Sequence, residues 1–439
     1  MRLGIFWVLG FYVGFNNVSW LVVVMVVGLF VEFVRCLGNV KVRLGLYLVL
    51  MLVYVVGVLW LLEQGLLPFY SGDERYYVSA GLEYVAGVPP VEANFEHPPL
   101  AKYVIGFCES VGLGHVCSAV SVYLGCVGVG EALRAMGLSI GVVFAVFLAL
   151  LFDPLVVSLA AHHLLDTYMF LFAGLLVYVY AVSFRRGFRF SNAVVCGVVA
   201  GLGLACKLPF ALLVLGIVFH YLFTWFRCGR PRGRLVLLAV ALVSCLAIYS
   251  LSYLADILYG GPHLLLEHHF RMAAYMLQAH SPSLATVGNG VLLYMLRLEA
   301  WRDAGTLRVT IRVLNETLSP IVEATSLGPQ HIGFIMFRPY MANLLLAIPP
   351  IAALCLLKQD PLALLFGLTH LACLTMLLFG PIWWYYCLPL LTGYLAITYW
   401  LSREYCKPTP ILLLLGTLIA WALYALLEYA GIETTLTLG

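Results

Sequence analysis

The feature that most constrains this chain is a succession of apolar runs, each about as long as a bilayer crossing, separated by short connections. A helix needs about 20 consecutive apolar residues to cross the hydrocarbon core. Such runs fall at 18–34, 44–67, 114–133, 139–158, 167–184, 191–206, 208–224, 235–259, 341–357, 361–379, 383–401 and 409–428. Lipid offers the backbone no hydrogen bonds, so runs of this kind become helices. The pattern predicts an all-α polytopic membrane protein with about 11–13 transmembrane helices. Composition removes the soluble alternative: 63% of the 439 residues are hydrophobic and only 10% are charged, too few to cover a soluble domain. The formal charge of +3 comes with no basic stripe, so no nucleic-acid partner is expected. The apolar start from Leu3 to Val34 is too long for a signal-peptide core and has no small-residue cleavage site. It is therefore expected to remain as membrane segment.

Orientation follows from the basic residues in the short connections. They cluster at Arg35, Lys41 and Arg43, at Arg185, Arg186 and Arg189, at Arg227, Arg230, Arg232 and Arg234, and at Arg403 with Lys407. Such residues concentrate in cytoplasmic loops, and placing all four clusters inside agrees with the helix count between them. The alternate connections then face outward: 68–100, 161–166, the turn at Lys207, 260–340 and the turn near Pro381. The expected location is a prokaryotic plasma membrane or an endoplasmic reticulum, with the polar constellations on the extracytoplasmic side. Of the twelve cysteines, most lie inside apolar runs as small hydrophobes. Cys108 and Cys117 share the outer side, where two unlinked thiols are expected in preference to a disulfide.

The first outer stretch holds Asp73-Glu74-Arg75 and then Glu96-His97-Pro98-Pro99-Leu100-Ala101-Lys102. Adjacent carboxylates beside a spanning helix are costly unless hydrated or paired. Asp73 and Glu74 are thus either a solvated helix end, with Asp73 paired to Arg75, or catalytic carboxylates held at the membrane surface. Pro98-Pro99 bars helix before it and releases one from Leu100. The segment to about Leu113 is too short to span, which predicts an interfacial helix. It would hold His97 and Lys102 at the level of lipid phosphates, Lys102 either snorkelling or binding phosphate. The second outer connection, His162-His163-Leu164-Leu165-Asp166-Thr167, places Asp166 where an N-cap would stand. Neighbouring imidazoles in a helix diverge, which argues against a metal site made of His162, His163 and Asp166. No spacing in the chain specifies a divalent-metal cofactor. Lys207, in a very short turn, is an interfacial anchor or a phosphate ligand. In the 260–340 stretch, mixed charge from Arg271 through Arg297, Glu299, Arg302, Asp303, Arg308 and Arg312 to Glu316 predicts a solvated or interfacial helix.

These motifs carry a resemblance. Asp73-Glu74, His97-Pro98-Pro99-Leu100-Ala101-Lys102, Asp153-Pro154, Leu165-Asp166 and Lys207 are similar in order and spacing to the protein O-mannosyltransferases and their aminoarabinose-transferring relatives, membrane glycosyltransferases of the GT-C class. The likeness covers roughly 45–290. His162 and His163 stand where that family often has an arginine, and the later loop lacks its tryptophan-rich pattern. The resemblance implies an organisation of 1–40 as an extra membrane segment, 41–259 as a GT-C-like catalytic region, 260–340 as an extracytoplasmic loop and 341–439 as C-terminal transmembrane helices.

The resemblance also implies a polyprenyl-phosphate sugar as donor and a protein, lipid or glycan hydroxyl as acceptor. A lipid phosphate is already a good leaving group. The chemistry therefore asks for one carboxylate to take the acceptor proton and for cations to steady the departing phosphate. Asp73 is the expected base, with Glu74 and Asp166 placing the acceptor or the sugar hydroxyls. Lys102, Lys207, His97 and His163 are the expected contacts to substrate and phosphate. One in-line displacement would invert the anomeric centre. Two other readings compete with this one. The run Trp383-Trp384-Tyr385-Tyr386-Cys387 is superficially similar to a motif of oligosaccharyltransferases but lacks its aspartate and glycine, and it suits an aromatic belt. A transporter or flippase would call for ionisable groups at mid-membrane, whereas here they gather in one layer.

Overall fold

In the computed structural model, the structure describes residues 40–67, 72–227, 232–279, 298–300, 307–313, 316–324, 335–337, 361–374, 387–404 and 433–438. The runs expected to span at 18–34, 341–357 and 409–428, and the aromatic residues Trp383 to Tyr386, lie outside them. The chain divides into two compact units, Met1–Val53 and Tyr54–Gly439. In the first, the described part is the start of α1 (Val40–Glu63), whose Leu44, Leu48, Val49 and Leu52 are exposed apolar side chains.

After α1 come α2 (Asp73–Val85), the single turn α3 (Pro90–Ala93) and α4 (Leu100–Ser110). The helix released by the proline pair starts at Leu100 as the sequence predicts, with Pro99 as its cap. α5 (Gly114–Ala135) follows a turn through Gly112, whose φ of 70° favours glycine. The run at 139–158 forms two helices rather than one, α6 (Ile140–Leu151) and α7 (Pro154–Ala161), bent by 60°. Asp153-Pro154 is the reason: Pro154 removes a backbone donor and opens α7, while the Asp153 carboxylate caps it by accepting from the Leu155 N–H at 2.9 Å.

The chain continues through α8 (Leu165–Arg186), α9 (Phe190–Cys206), α10 (Phe210–Arg227) and α11 (Arg232–Leu251). The run expected to span to 259 ends at Leu251. The short α12 (Leu254–Gly260) turns away, because Asp256 inside it is fully buried and bonded to the Val91 N–H and the His268 ring. α13 (Pro262–Ala279) completes this part. Later come α14 (Pro361–Leu374) and α15 (Cys387–Glu404), at the positions expected for spans at 361–379 and 383–401.

Among the described residues, α1, α5, α8, α10 and α11 are long and apolar enough to cross a bilayer, and the bent α6–α7 pair makes a sixth if it is one broken span. Close approach of backbones holds helices of the second unit together, as lipid provides no hydrophobic drive between helices. A Cβ on Gly128 of α5 would stand 2.6 Å from the Gly174 carbonyl carbon of α8, and one on Gly201 of α9 would stand 2.5 Å from the Cys245 carbonyl oxygen of α11. Val236, Val243 and Leu246 of α11 stay exposed, as suits a lipid-facing surface.

Helices carry this architecture, and a five-stranded antiparallel sheet adds to it. Its strands are β1 (Leu298–Ala300), β2 (Leu307–Val313), β3 (Glu316–Ala324), β4 (Ile335–Phe337) and β5 (Glu433–Leu438), in the order β1-β4-β5-β2-β3. Among the described residues, the helix expected from the mixed charge of 260–340 is α13. Arg297, Arg302 and Asp303 lie outside the described residues, while Glu299, Arg308, Arg312 and Glu316 fall on strands. The reason is visible in Leu307-Arg308-Val309-Thr310-Ile311-Arg312-Val313, which alternates apolar and polar residues with the period of a strand. The register places Arg308 opposite Glu323 and Arg312 opposite Glu433.

Candidate active site

α2 and α4 lie flat against each other because each offers a glycine at the crossing. A Cβ on Gly81 would stand 2.5 Å from the Lys102 carbonyl oxygen and 2.7 Å from the Gly106 nitrogen. This contact sets the loop between them and the place of Lys102. The Lys102 side chain is fully buried, and Nζ donates to Asn94 Oδ1 at 2.6 Å, the Asn94 carbonyl at 2.9 Å and the His97 carbonyl at 3.2 Å. Burial pulls its pKa down to about 7, with Glu96 pulling back. The snorkelling alternative for Lys102 is thus corrected: its ammonium is buried against three oxygens of the 94–97 loop, which it fixes, with the Tyr84 hydroxyl a fourth contact at 3.4 Å. The His97 ring, also buried, stands edge-on to Tyr77 at 6.1 Å.

Asp73 and Glu74 open α2, where their charge suits the helix N-terminus. Glu74 turns inward. Its Oε2 lies 2.8 Å from His162 Nδ1, and its Oε1 accepts from the His163 N–H at 3.0 Å. Burial pushes the Glu74 carboxyl up, but its bond and charge contact with His162 and its bond from the His163 amide outweigh that and hold it below its ordinary value. The His163 ring touches His115 of α5, Nε2 to Nδ1 at 2.8 Å, and its Nδ1 stands 2.6 Å from Glu109 Oε1 at the end of α4. Burial, with His115 beside it, lowers His163 to about 4.

Asp166 is not the N-cap. Leu164 takes that position in extended backbone with no side-chain cap, and Asp166 sits inside the first turn of α8. There it is buried and bonded through Oδ2 to Lys207 Nζ at 2.6 Å, while Oδ1 has no hydrogen-bond partner. Lys207 is held in extended backbone between α9 and α10, so a buried ion pair replaces the interfacial anchor. Asp73 is close enough to act electrostatically on Asp166, and on Tyr275 of α13 as well. Tyr275 is raised to about 12 by burial and by Glu96, to which it hydrogen-bonds.

The predicted residues therefore gather at one end of the bundle. Asp73 lies near the Asp166–Lys207 pair, Glu74 joins His163, and Lys102 holds the loop of His97. Sequence reasoning missed Asn94, Glu109, His115 and the buried Asp256–His268 pair. His115 had one available signal, a histidine beside a helix start in an apolar context. Glu74, His115 and His163 offer metal-ligating atoms within 4.8 Å of one another, a set other than the His162, His163 and Asp166 grouping weighed from the sequence. Cys108 and Cys117 are free thiols in hydrogen-bonding reach of each other. An apolar cavity among α8, α9, α10 and α11, lined by Tyr180, Gly197, Tyr221 and Ala241, holds none of these groups.

No protein-family model matches the sequence, and a search of curated proteins returns no match either. Among solved structures, ArnT from Cupriavidus metallidurans bound to undecaprenyl phosphate superposes with a TM-score of 0.56 at 19% identity, over 87% of this chain and 64% of that one. The same enzyme in the apo state gives 0.49 at 17% identity, over 88% and 64%. The Saccharomyces cerevisiae protein O-mannosyltransferase Pmt1-Pmt2 complex bound to the sugar donor gives 0.35 at 16%, over 61% and 40%. This chain thus spans a little under two thirds of the ArnT length that it matches. With its long apolar helices, the chain is a polytopic membrane protein whose fold is similar to that of ArnT.

Proposed function

We propose that this chain is a membrane glycosyltransferase that moves a sugar from a polyprenyl-phosphate donor to a hydroxyl of a protein, lipid or glycan acceptor on the extracytoplasmic side. The observation that carries this reading is the convergence of Asp73 with the buried Asp166–Lys207 pair at one end of a GT-C-fold bundle. Asp73 is half-buried at a helix start and acts as the general base. The acceptor O–H proton passes to its carboxylate as the acceptor oxygen bonds to the anomeric carbon. The bond from that carbon to the phosphate oxygen breaks on the opposite face, so configuration inverts and the polyprenyl phosphate leaves with the electron pair. Lys207 faces the growing charge on phosphate as a point cation. The unpartnered Oδ1 of Asp166 is an acceptor for a sugar hydroxyl, and Lys102 holds the loop that presents His97 to the donor.

The sidedness has support beyond the basic loops. β5 pairs with β2 and β4, so 433–438 and 307–337 lie on the same side of the membrane, as the loop alternation requires. The test is transfer from radiolabelled polyprenyl-phosphate hexoses in liposomes, comparing wild type with Asp73→Asn. Turnover is expected to fall by about 10²–10⁴-fold in the variant, the usual contribution of a general base. Undiminished transfer by the folded variant would refute the base assignment. Movement of labelled lipid across the bilayer without transfer would favour the flippase reading.

A further inference from the structure

We propose that Glu74, His115 and His163 bind a divalent transition-metal ion of the zinc class, with Glu109 supporting the His163 ring from its other nitrogen. The three residues come from three separate elements, the first turn of α2, the first turn of α5 and the loop between α7 and α8, yet their ligand atoms lie within 4.8 Å of one another. Ligands at about 2.1 Å from a four-coordinate zinc ion stand roughly 3.4 Å apart. The distances here bracket that figure: His163 Nε2 is 2.8 Å from His115 Nδ1 and 3.8 Å from Glu74 Oε1.

A second observation concerns the other nitrogen of the His163 ring. The His163 side chain is 3% exposed, and its Nδ1 has no hydrogen-bond partner although Glu109 Oε1 lies 2.6 Å away. That nitrogen is turned away from His115, so Glu109 stands as an outer partner that would orient the ring while Nε2 binds the ion. Supporting groups are in place as well. The Ala161 carbonyl, 2.8 Å from His115 Nδ1, accepts a proton that the ion would displace from that nitrogen, and the second oxygen of Glu74 meets His162, the kind of outer partner that orients a ligating carboxylate. Gly114 closes the rim, because a Cβ there would overlap the Glu109 carboxylate and the His163 ring. Two imidazoles with carboxylates favour a borderline metal such as zinc over magnesium or calcium, which take oxygen ligands.

The ion would clamp the start of α2 to the loop before α8. It would thereby fix Asp73, the neighbour of Glu74, relative to Asp166, three residues after His163. The inference stands apart from the glycosyltransferase reading, since metal content is read without donor or acceptor. The full-length protein, purified in detergent, is stripped with a chelator, reloaded with Zn²⁺ and dialysed, and its metal is measured by elemental mass spectrometry. About one ion per chain is expected to remain, with Zn²⁺ raising the melting temperature. Substitution with Co²⁺ should give the visible bands of a four-coordinate nitrogen and oxygen site in the wild type, a readout that does not depend on any variant folding. His115→Gln and His163→Gln should each abolish retention, and Glu109→Gln should weaken it by about 10–100-fold. Absence of retained metal together with absence of cobalt bands overturns the proposal. Retention undiminished in both histidine variants also overturns it, by placing the ion elsewhere.

Discussion

Two lysines at the candidate site show how burial decides what a charge does. Lys207 is paired with Asp166 and both are buried, so removing one partner strands the other. Lys207→Met is expected to cost about 3–5 kcal/mol, and the double replacement with Asp166→Leu should recover much of that, read as melting temperature in detergent. Among the described residues, Lys102 has no carboxylate at hydrogen-bonding distance but four oxygens around its ammonium. In the folded chain it titrates at about 7, against 10.5 for an ordinary lysine. Between those values the unfolded chain binds more protons, so stability should rise with pH across that window. Below pH 7 both states are protonated and the burial penalty is constant. Melting curves from pH 6 to 10 should show this rise, and Lys102→Met should flatten it. Equal slopes in the two proteins would mean that Lys102 stays protonated throughout.

At the scale of elements, small residues and prolines determine where the charged groups end up. The α2–α4 crossing depends on Gly81 and Gly106, whose neighbours are backbone atoms that cannot rotate aside. Gly81→Ala is expected to cost about 1–3 kcal/mol. It should also reduce transfer by roughly 10²-fold by shifting Asp73, since misplacement by about 1 Å has that effect. A variant with full activity would mean that α2 has room to move without disturbing the chemistry. Asp153 works differently, capping α7 and accepting from the Tyr394 hydroxyl at 3.2 Å. Asp153→Ala should lose about 1 kcal/mol and little catalysis, which separates a scaffold aspartate from Asp73 and Asp166.

For the whole molecule, the strand that ends the described chain holds the sheet together. β5 stands between β4 and β2, so without it the sheet falls into the pairs β1–β4 and β2–β3. Truncation after residue 432 is expected to make 298–337 sensitive to limited proteolysis while leaving cleavage of the helical region unchanged. The helical region itself was largely legible. α4, α5, α8 and α10 fall within a few residues of the expected segments, because apolar length and proline positions are local properties. The break at Phe152 has a local cause in Asp153-Pro154, whereas the break at Ser252 was not legible, as it depends on the buried Asp256, whose partners Val91 and His268 come from other elements.

The sequence by itself determined that this chain is a membrane protein, which segments are apolar enough to cross, and that its carboxylates, histidines and lysines concentrate between those segments. These follow from composition and from the length of a bilayer, which any helix must match. Only the tertiary structure decided who meets whom. It paired Asp166 with Lys207 across 41 residues, buried Lys102 against Asn94, and brought Glu74, His115 and His163 into one cluster. Hydrogen bonds and ion pairs act over about 3 Å, and no local rule of spacing says which distant loops packing will bring that close.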